Sequence, residues 1–328
     1  MRIGDQQVPT LGVCVVTYER PDFLVRCLRS LADERPDLED VVVVDASVAS
    51  SHELVESSFP GATYVHDPGL AGWMTRSRNE ALIHVRGDVV AFLDDDVVVR
   101  PGWAAALRAA FLDPTVQAVS GRTCNGLPGE ESYHQPVGRL LPNGRLTAGF
   151  AAALPGPVEV DHGIGANMSF RRTALAELGG FRDDYPGTAL REDTDMFLRV
   201  GALGGRVVFV PGAVVDHRPA PHVKGARFDT RYKLYGRRNH VVLLARHAGG
   251  ASPLLWRWIA GQFRDVLSAG GPGRIAQRLG VTLVGVVWGL AVLPSAAGLR
   301  PLPPRRADDA SRRIRAVLSD GPPRAAAQ

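Results

Sequence analysis

The sequence predicts an α/β fold, a parallel sheet covered by helices on both faces. Three observations lead there. Short Val-rich apolar runs alternate with segments whose apolar residues recur at helical spacing. Polar and acidic residues stand where those runs end, the edge at which doubly wound sheets hold ligands. After Ser252 the alternation gives way to apolar helical stripes, which predicts a helical extension.

Taken in order, Leu11 to Thr17 reads as a buried strand, and Pro21 is well placed to open a helix. Phe23, Leu24, Cys27, Leu28 and Leu31 supply that helix with one apolar face. Val41 to Val44 is a second buried strand ending at Asp45, and Ala62 to Val65 a weaker third. Trp73 to Val85 reads as a helix and Asp88 to Leu93 as a fourth strand. Gly121 to Gly163, rich in Gly and Pro, reads as loops and short antiparallel strands. Helices are expected at Arg171 to Leu178, stopped by Gly179-Gly180, at Leu190 to Leu203 and at Phe228 to Ala248. Arg206 to Val210 is a further strand. Domain boundaries follow from these shifts: a body over 1–250, a helical extension over 251–299 and an Arg/Pro-rich, flexible tail over 300–328.

Composition narrows the class. At 45% hydrophobic and 22% charged, the 328-residue chain has the balance of a globular protein and not of a disordered one. Cys14, Cys27 and Cys124 are too few and scattered for a disulfide framework, so a reducing compartment is expected. No apolar stretch behind a basic start suggests a secretory leader. The expected location is therefore the cytoplasm, with the extension a candidate for peripheral contact at the inner membrane face or for self-association. The formal charge is +4, and from Leu299 onward seven Arg against Asp308, Asp309 and Asp320 account for all of it. A nucleic-acid partner is not expected, because the body as a whole carries no basic surplus. Leu279 to Leu299 is uncharged over 21 residues but interrupted by Gly280, Gly285, Gly289, Pro294 and Gly298. It can be a helix packed on the body or a partner, an in-plane membrane contact, or a span.

The strongest chemical signal is Phe92-Leu93-Asp94-Asp95-Asp96 at a strand end. Three adjacent carboxylates repel one another, and a divalent cation offsets that repulsion with oxygen ligands. A helix cap or solvated turn is the plainer reading, and the strand-end position argues against it. Val43-Val44-Asp45-Ala46-Ser47 brings a further acid to the same edge. Arg76-Ser77-Arg78-Asn79 precedes the acidic strand on a helix, and a guanidinium fork suits phosphate, although Arg76 also reads as a solvated face. Arg191-Glu192-Asp193-Thr194-Asp195 opens a helix, where acids also serve the helix dipole alone.

Together these segments resemble the family-2 glycosyltransferases, inverting enzymes of the GT-A fold that use nucleotide-diphosphate sugars. The resemblance runs through Val15 to Arg20, Val43 to Ser47, Ser77 to Ala81, Phe92 to Asp96, Gly165 to Phe170, Gly179 to Phe181 and Glu192 to Asp195, and covers about residues 10–245. It implies a Rossmann-like, doubly wound mixed sheet flanked by helices. Glu19 and Ala46 stand where the family often has Asn. The resemblance implies that Thr17, Asp45 and Arg78 hold the nucleotide and that Asp94 and Asp95 lie against ribose and sugar. Asp96 would ligate Mn²⁺ or Mg²⁺, with His217 as a further metal or diphosphate contact or else a satisfied core histidine. Gly165 and Asn167 would line sugar and acceptor, and Asp193, beside Glu192, would be the general base. A UDP- or dTDP-sugar is the expected donor; a glycan, a lipid-linked intermediate or a small natural product is the expected acceptor.

Other classes fit less well. A dinucleotide-binding oxidoreductase needs G-x-G-x-x-G in its first strand-to-helix turn, and here Thr17-Tyr18-Glu19-Arg20-Pro21-Asp22 has no glycine. No G-x-x-x-x-G-K-[ST] phosphate loop occurs. A non-catalytic nucleotide-sugar-binding or membrane-scaffolding protein is the alternative, and retention of both the acidic triad and Glu192-Asp193 weighs against it.

Overall fold

The structure is a computed structural model that describes residues 2–3, 6–187, 190–220, 229–268, 272–294 and 309–319. Short strands β1 (Arg2–Ile3) and β2 (Gln6–Gln7) pair antiparallel ahead of the main sheet. The first half of that sheet is wound as the sequence predicts. It contains β3 (Leu11–Thr17), α1 (Pro21–Ala32), β4 (Asp40–Asp45), α2 (His52–Ser58), β5 (Thr63–His66), α3 (Met74–His84) and β6 (Val89–Asp94). These four strands are parallel, in the order β5-β4-β3-β6. Alternation sets the two faces: Val13, Val15, Val41 and Val43 pack with Leu24 and Leu28 of α1, whereas Cys14, Val42 and Val44 pack with Ala81 and Leu82 of α3. Both faces are buried, so the strands read as unbroken Val runs.

The second half makes the sheet mixed, as the family resemblance implies. It adds β7 (Val97–Val99), α4 (Trp103–Ala110), β8 (Val116–Cys124), β9 (Val158–Glu159), β10 (Asn167–Arg171), α5 (Arg172–Leu178), α6 (Glu192–Ala202) and β11 (Arg206–His217). β10 lies antiparallel between β6 and β8, β11 is parallel to β8, and β7 closes the far edge antiparallel to β11. The sheet is therefore mixed. The connection from β8 to β10 contains no helix, so nothing imposes the crossover that parallel neighbours require. β11 also outruns the predicted Arg206–Val210. Pro211-Gly212 lies in a register shift between Val210 and Val214, and pairing resumes to His217. That extension delivers His217 to the acidic edge.

The extension and part of the tail fold as well. α7 (Thr230–Ala248), α8 (Pro253–Leu267) and α9 (Pro272–Ala291) share a small core of Val241, Leu244, Leu255, Trp258, Ile259 and Val286. Two of the glycines that interrupt the uncharged stretch, Gly285 and Gly289, lie where α9 meets α7. A Cβ on Gly285 would lie 2.8 Å from the Arg237 Cβ, and one on Gly289 2.7 Å from the Val241 Cβ. Among the described residues no helix is long and apolar enough to cross a membrane, and 295–299 of that stretch lie outside them. Within the tail, expected to be flexible, α10 (Asp309–Ser319) instead packs on the body and buries Ile314 and Leu318 beside Leu175 and Leu178. Arg172 caps it, donating to the carbonyls of Val317 and Leu318 at 3.1 and 3.2 Å.

Candidate active site

The carboxyl ends of β3, β4 and β6 lie side by side, Thr17 opposite Asp45 and Val16 opposite Asp94. Each acid leaving β6 has its own partner. The Arg78 Nη2 donates to Asp94 Oδ1 at 3.0 Å. The Thr17 hydroxyl donates to Asp95 Oδ2 at 2.7 Å, and Arg20 Nη1 reaches Asp95 Oδ1 at 3.3 Å and Asp96 Oδ2 at 3.7 Å. The Ala220 amide donates to Asp96 Oδ2 at 2.9 Å, and His217 Nε2 stands 3.4 Å from Asp96 Oδ1. Burial, with Asp94 and Asp96 close by, lifts the Asp95 carboxyl to about 7 against the pull of Arg20 and Thr17. Burial acts on Asp96 in the same direction but is outweighed by the nearby His217 imidazole and the Ala220 amide, so its carboxyl lies below the ordinary value.

A second acidic group faces the first across Arg78. That guanidinium is buried, and its Nη1 donates to Glu192 Oε1 at 2.8 Å, so one cation ties β6 to the start of α6. Burial and the adjacent Asp193 push the Glu192 carboxyl to about 8, despite the opposing pull of Arg78. Asp193 is only partly buried and is held by three donors: the Gly165 amide on Oδ2 at 3.1 Å, and the Thr194 amide and hydroxyl on Oδ1 at 2.6 and 3.2 Å. Gly165 is small for a reason, because a Cβ there would stand 3.1 Å from Arg78 Nη2. Arg78 is steadied from behind: the Asn79 amide exchanges two hydrogen bonds with the backbone of Phe181, at 2.8 and 2.9 Å, which explains why two distant segments of the sequence act together.

The structure thus brings Thr17, Arg78, Asp94, Asp95, Asp96, Gly165, Glu192, Asp193 and His217 together in three bonded sets that adjoin through Asp94-Asp95 and Glu192-Asp193. Asp45 adjoins them through β4. Its carboxylate organises the following loop, accepting from the amides of Ser47 and Ser51 at 2.9 and 3.2 Å and from the Tyr64 hydroxyl at 2.8 Å. Burial would raise its carboxyl, yet these donors hold it below the ordinary value. Asn167 stands apart from the cluster. It is wholly buried, with its oxygen accepting from the Trp103 indole at 3.0 Å and its NH2 donating to the carbonyls of Ala213 and Arg122 at 2.9 and 3.1 Å. Its amide groups are spent in joining α4, β8, β10 and β11, so no part of it is left to meet a sugar.

Several contributors carry little sequence signal. Arg20 clamps two of the three triad acids, and its only hint is a cation in the first strand-to-helix turn. Asn125 fixes the His217 ring, with its Oδ1 2.9 Å from Nδ1, and lies in a stretch that reads as featureless loop. Asp195 turns away from the site. Its carboxylate accepts from the Tyr185 hydroxyl and from His247 at 3.0 Å each, with Arg182 at 3.4 Å, and His247, Arg199 and Arg182 hold it well below the usual range although it is buried. Arg76 lies on the surface over the Trp73 ring and pairs with Asp183 at 2.9 Å.

Asp96 Oδ1 is buried and accepts no hydrogen bond, and beside it is an imidazole nitrogen. A carboxylate and an imidazole aimed at one point form a donor set that a divalent cation fits. Among the described residues no group of three or more His, Cys, Asp or Glu is arranged to hold a metal.

The architecture is that of the GT-A glycosyltransferases. It matches the mannosyltransferase PcManGT from Pyrobaculum calidifontis, solved in complex with GDP-Man and Mn²⁺, with a TM-score of 0.55, 19% identity and 87% of each chain covered. The family model described as Glycosyl transferase family 2 matches residues 12–179. The succinoglycan biosynthesis protein ExoM of Rhizobium meliloti (strain 1021) is 32% identical over 251 residues, 73% of this chain and 76% of that one. The pre-mycofactocin glycosyltransferase of Mycobacterium tuberculosis is 31% identical over 273 residues, 79% of this chain, which spans about half (53%) of that relative's length. The chain belongs to glycosyl transferase family 2 and is a glycosyltransferase.

Proposed function

We propose that the protein transfers a sugar from a nucleotide-diphosphate donor to an acceptor hydroxyl by one inverting displacement assisted by a divalent cation. The observation that carries this reading is the facing of two acidic groups across Arg78: the strand-end triad with His217 on one side, and Asp193 on the other. Thr17 and the Asp45 loop would receive the nucleotide, and a carboxylate there favours a base that presents an N–H, as uracil and thymine do. Arg78 and Arg20 keep the clustered acids in place. Asp96 and His217 would hold Mn²⁺ or Mg²⁺, which when bound supplies Lewis-acid stabilisation of the charge on the departing diphosphate. Because a diphosphate leaves without protonation, one base suffices. Asp193 is that base: three donors fix its carboxylate, which takes the hydroxyl proton as the oxygen attacks the anomeric carbon. Glu192 positions Arg78 and, buried and protonated near neutrality, does not compete for the proton. The acceptor we assign is a hydroxyl of a growing glycan or a lipid-linked sugar, in keeping with the name of the succinoglycan relative.

The test is a screen of UDP-, dTDP- and GDP-sugars with Mn²⁺, with Mg²⁺ and with chelator, the anomeric configuration of any transferred sugar being read by NMR. Turnover with metal, lost on chelation and giving the inverted anomer, supports the reading. Retention of configuration or full turnover in chelator rejects it.

A further inference from the structure

The helical hairpin that follows the catalytic body has a surface the reaction does not use. On α9, Leu279, Leu283, Val284 and Val287 are exposed by 37%, 51%, 55% and 53%. They recur at helical spacing on the side away from Gly285 and Gly289, which face α7. On α8, Trp256 and Leu267 are likewise exposed, at 49% and 65%, and form a stripe with partly buried Phe263. Side chains of this size left in water on two packed helices mark an interaction surface.

Charge identifies the partner. Residues 229–294 contain nine Arg and Lys but only Asp229 and Asp265 as acids, whereas residues 1–228 carry an acidic surplus of seven. The neutrality of the body is therefore a cancellation between an acidic catalytic part and a basic α7–α9 unit, whose α8–α9 hairpin carries Arg257, Arg264, Arg274 and Arg278 against Asp265. Arg238 and Arg246 are used internally against Asp184. Arg257 and Arg264 are exposed on α8, at the flank of the Trp256–Phe263–Leu267 stripe. An apolar stripe with an indole, bordered by guanidiniums, suits the boundary between acyl chains and anionic headgroups. A protein groove would offer the apolar complement but gives no reason for the basic surplus.

We propose that α8 and α9 form a docking surface for an anionic membrane, lying in its plane with the apolar stripes seated among the acyl chains. No span is involved: among the described residues no helix is both long and apolar enough to cross a membrane. The surface is tied to the catalytic part through α7, whose His240 accepts from Arg191, the residue before Glu192, at 3.0 Å. The proposal does not rest on the assignment of donor, metal or base.

The experiment is co-sedimentation of the full chain with vesicles of phosphatidylcholine alone and with 30% phosphatidylglycerol, at low and high salt. Binding to the anionic vesicles, weakened by salt, is expected. Leu283→Glu/Val287→Glu should abolish it. Arg257→Gln/Arg264→Gln, which leaves the apolar stripe intact, should weaken it by about tenfold or more. Unchanged thermal melting of both variants shows that the fold persists. Absence of binding to either vesicle, or equal binding by all three proteins, overturns the proposal. So does a concentration-dependent dimer that Leu283→Glu/Val287→Glu dissociates, since the stripe would then belong to a second copy.

Discussion

At the residue scale the site depends on a few carboxylates whose surroundings drive them apart. Asp193 and Glu192 are adjacent, yet one is partly exposed and held by three donors while the other is buried against Arg78. Asp193→Asn is expected to lower transfer by about two to four orders of magnitude with donor affinity retained, as steady-state kinetics and donor titration would reveal. An active Asp193→Asn beside a dead Glu192→Gln would reverse the two roles. Asp96→Asn should nearly abolish metal-dependent transfer while leaving thermal melting intact; undiminished turnover would remove Asp96 from the metal pair. Glu192 also makes a stability prediction. Its carboxyl rises from an ordinary 4.5 to about 8 in the fold. Between those values the folded state holds a proton that the unfolded state has lost, so this group's contribution to stability falls as pH rises from about 4.5 to about 8 and is level beyond. Denaturant titrations across that range should show the decline in the parent protein and its loss in Glu192→Gln.

At the scale of elements, legibility in the sequence followed the chemistry of each segment. The β3, β4 and β6 strands were readable because both sheet faces are buried, which writes Val into consecutive positions. α2, α4 and β8 were not picked out: α2 is short and largely polar, and β8 runs into a Gly-rich stretch whose pairing depends on remote strands. Glycine serves packing and pairing here: Gly212 sits in a bulge within β11, and Gly285 and Gly289 let two helix backbones approach, the packed-helix alternative for that stretch. Gly289→Leu should therefore push α9 off α7 and destabilise the protein by about 1–3 kcal/mol, visible as a lowered melting midpoint. Asn167 is the corresponding case for the site: the motif is legible, but the side chain works between elements. Asn167→Ala should cost about 3 kcal/mol, because the Trp103 indole and two carbonyls lose their partner. The soluble variant should bind donor normally, and a selective loss of donor affinity would return Asn167 to the binding site.

At the scale of the molecule, three parts with different charge are joined into one body. The acidic α/β part holds the site, the basic α7–α9 unit stands beside it with its own core, and α10 returns to pack against α3 and α5. Ile314 lies in the same core as Leu175 and Phe181, and Phe181 is the residue that Asn79 grips beside Arg78. Ile314→Ala should lose about 2–5 kcal/mol by leaving a cavity there. Chemical denaturation would measure that loss, and a change within error would show that α10 is not part of the cooperative unit.

The sequence alone determined the wound first half of the sheet, the edge at which the acids gather and the family to which the motifs point. It could do so because alternation, strand-end position and local spacing are properties of neighbouring residues. Tertiary structure alone decided which strand enters antiparallel, that Asn125 fixes the His217 ring and that Arg78 joins two acids separated by 98 positions. It likewise decided which carboxyls hold their protons near neutrality. Those outcomes depend on burial and on partners remote in the chain, and no local pattern carries the energy of a contact that only folding creates.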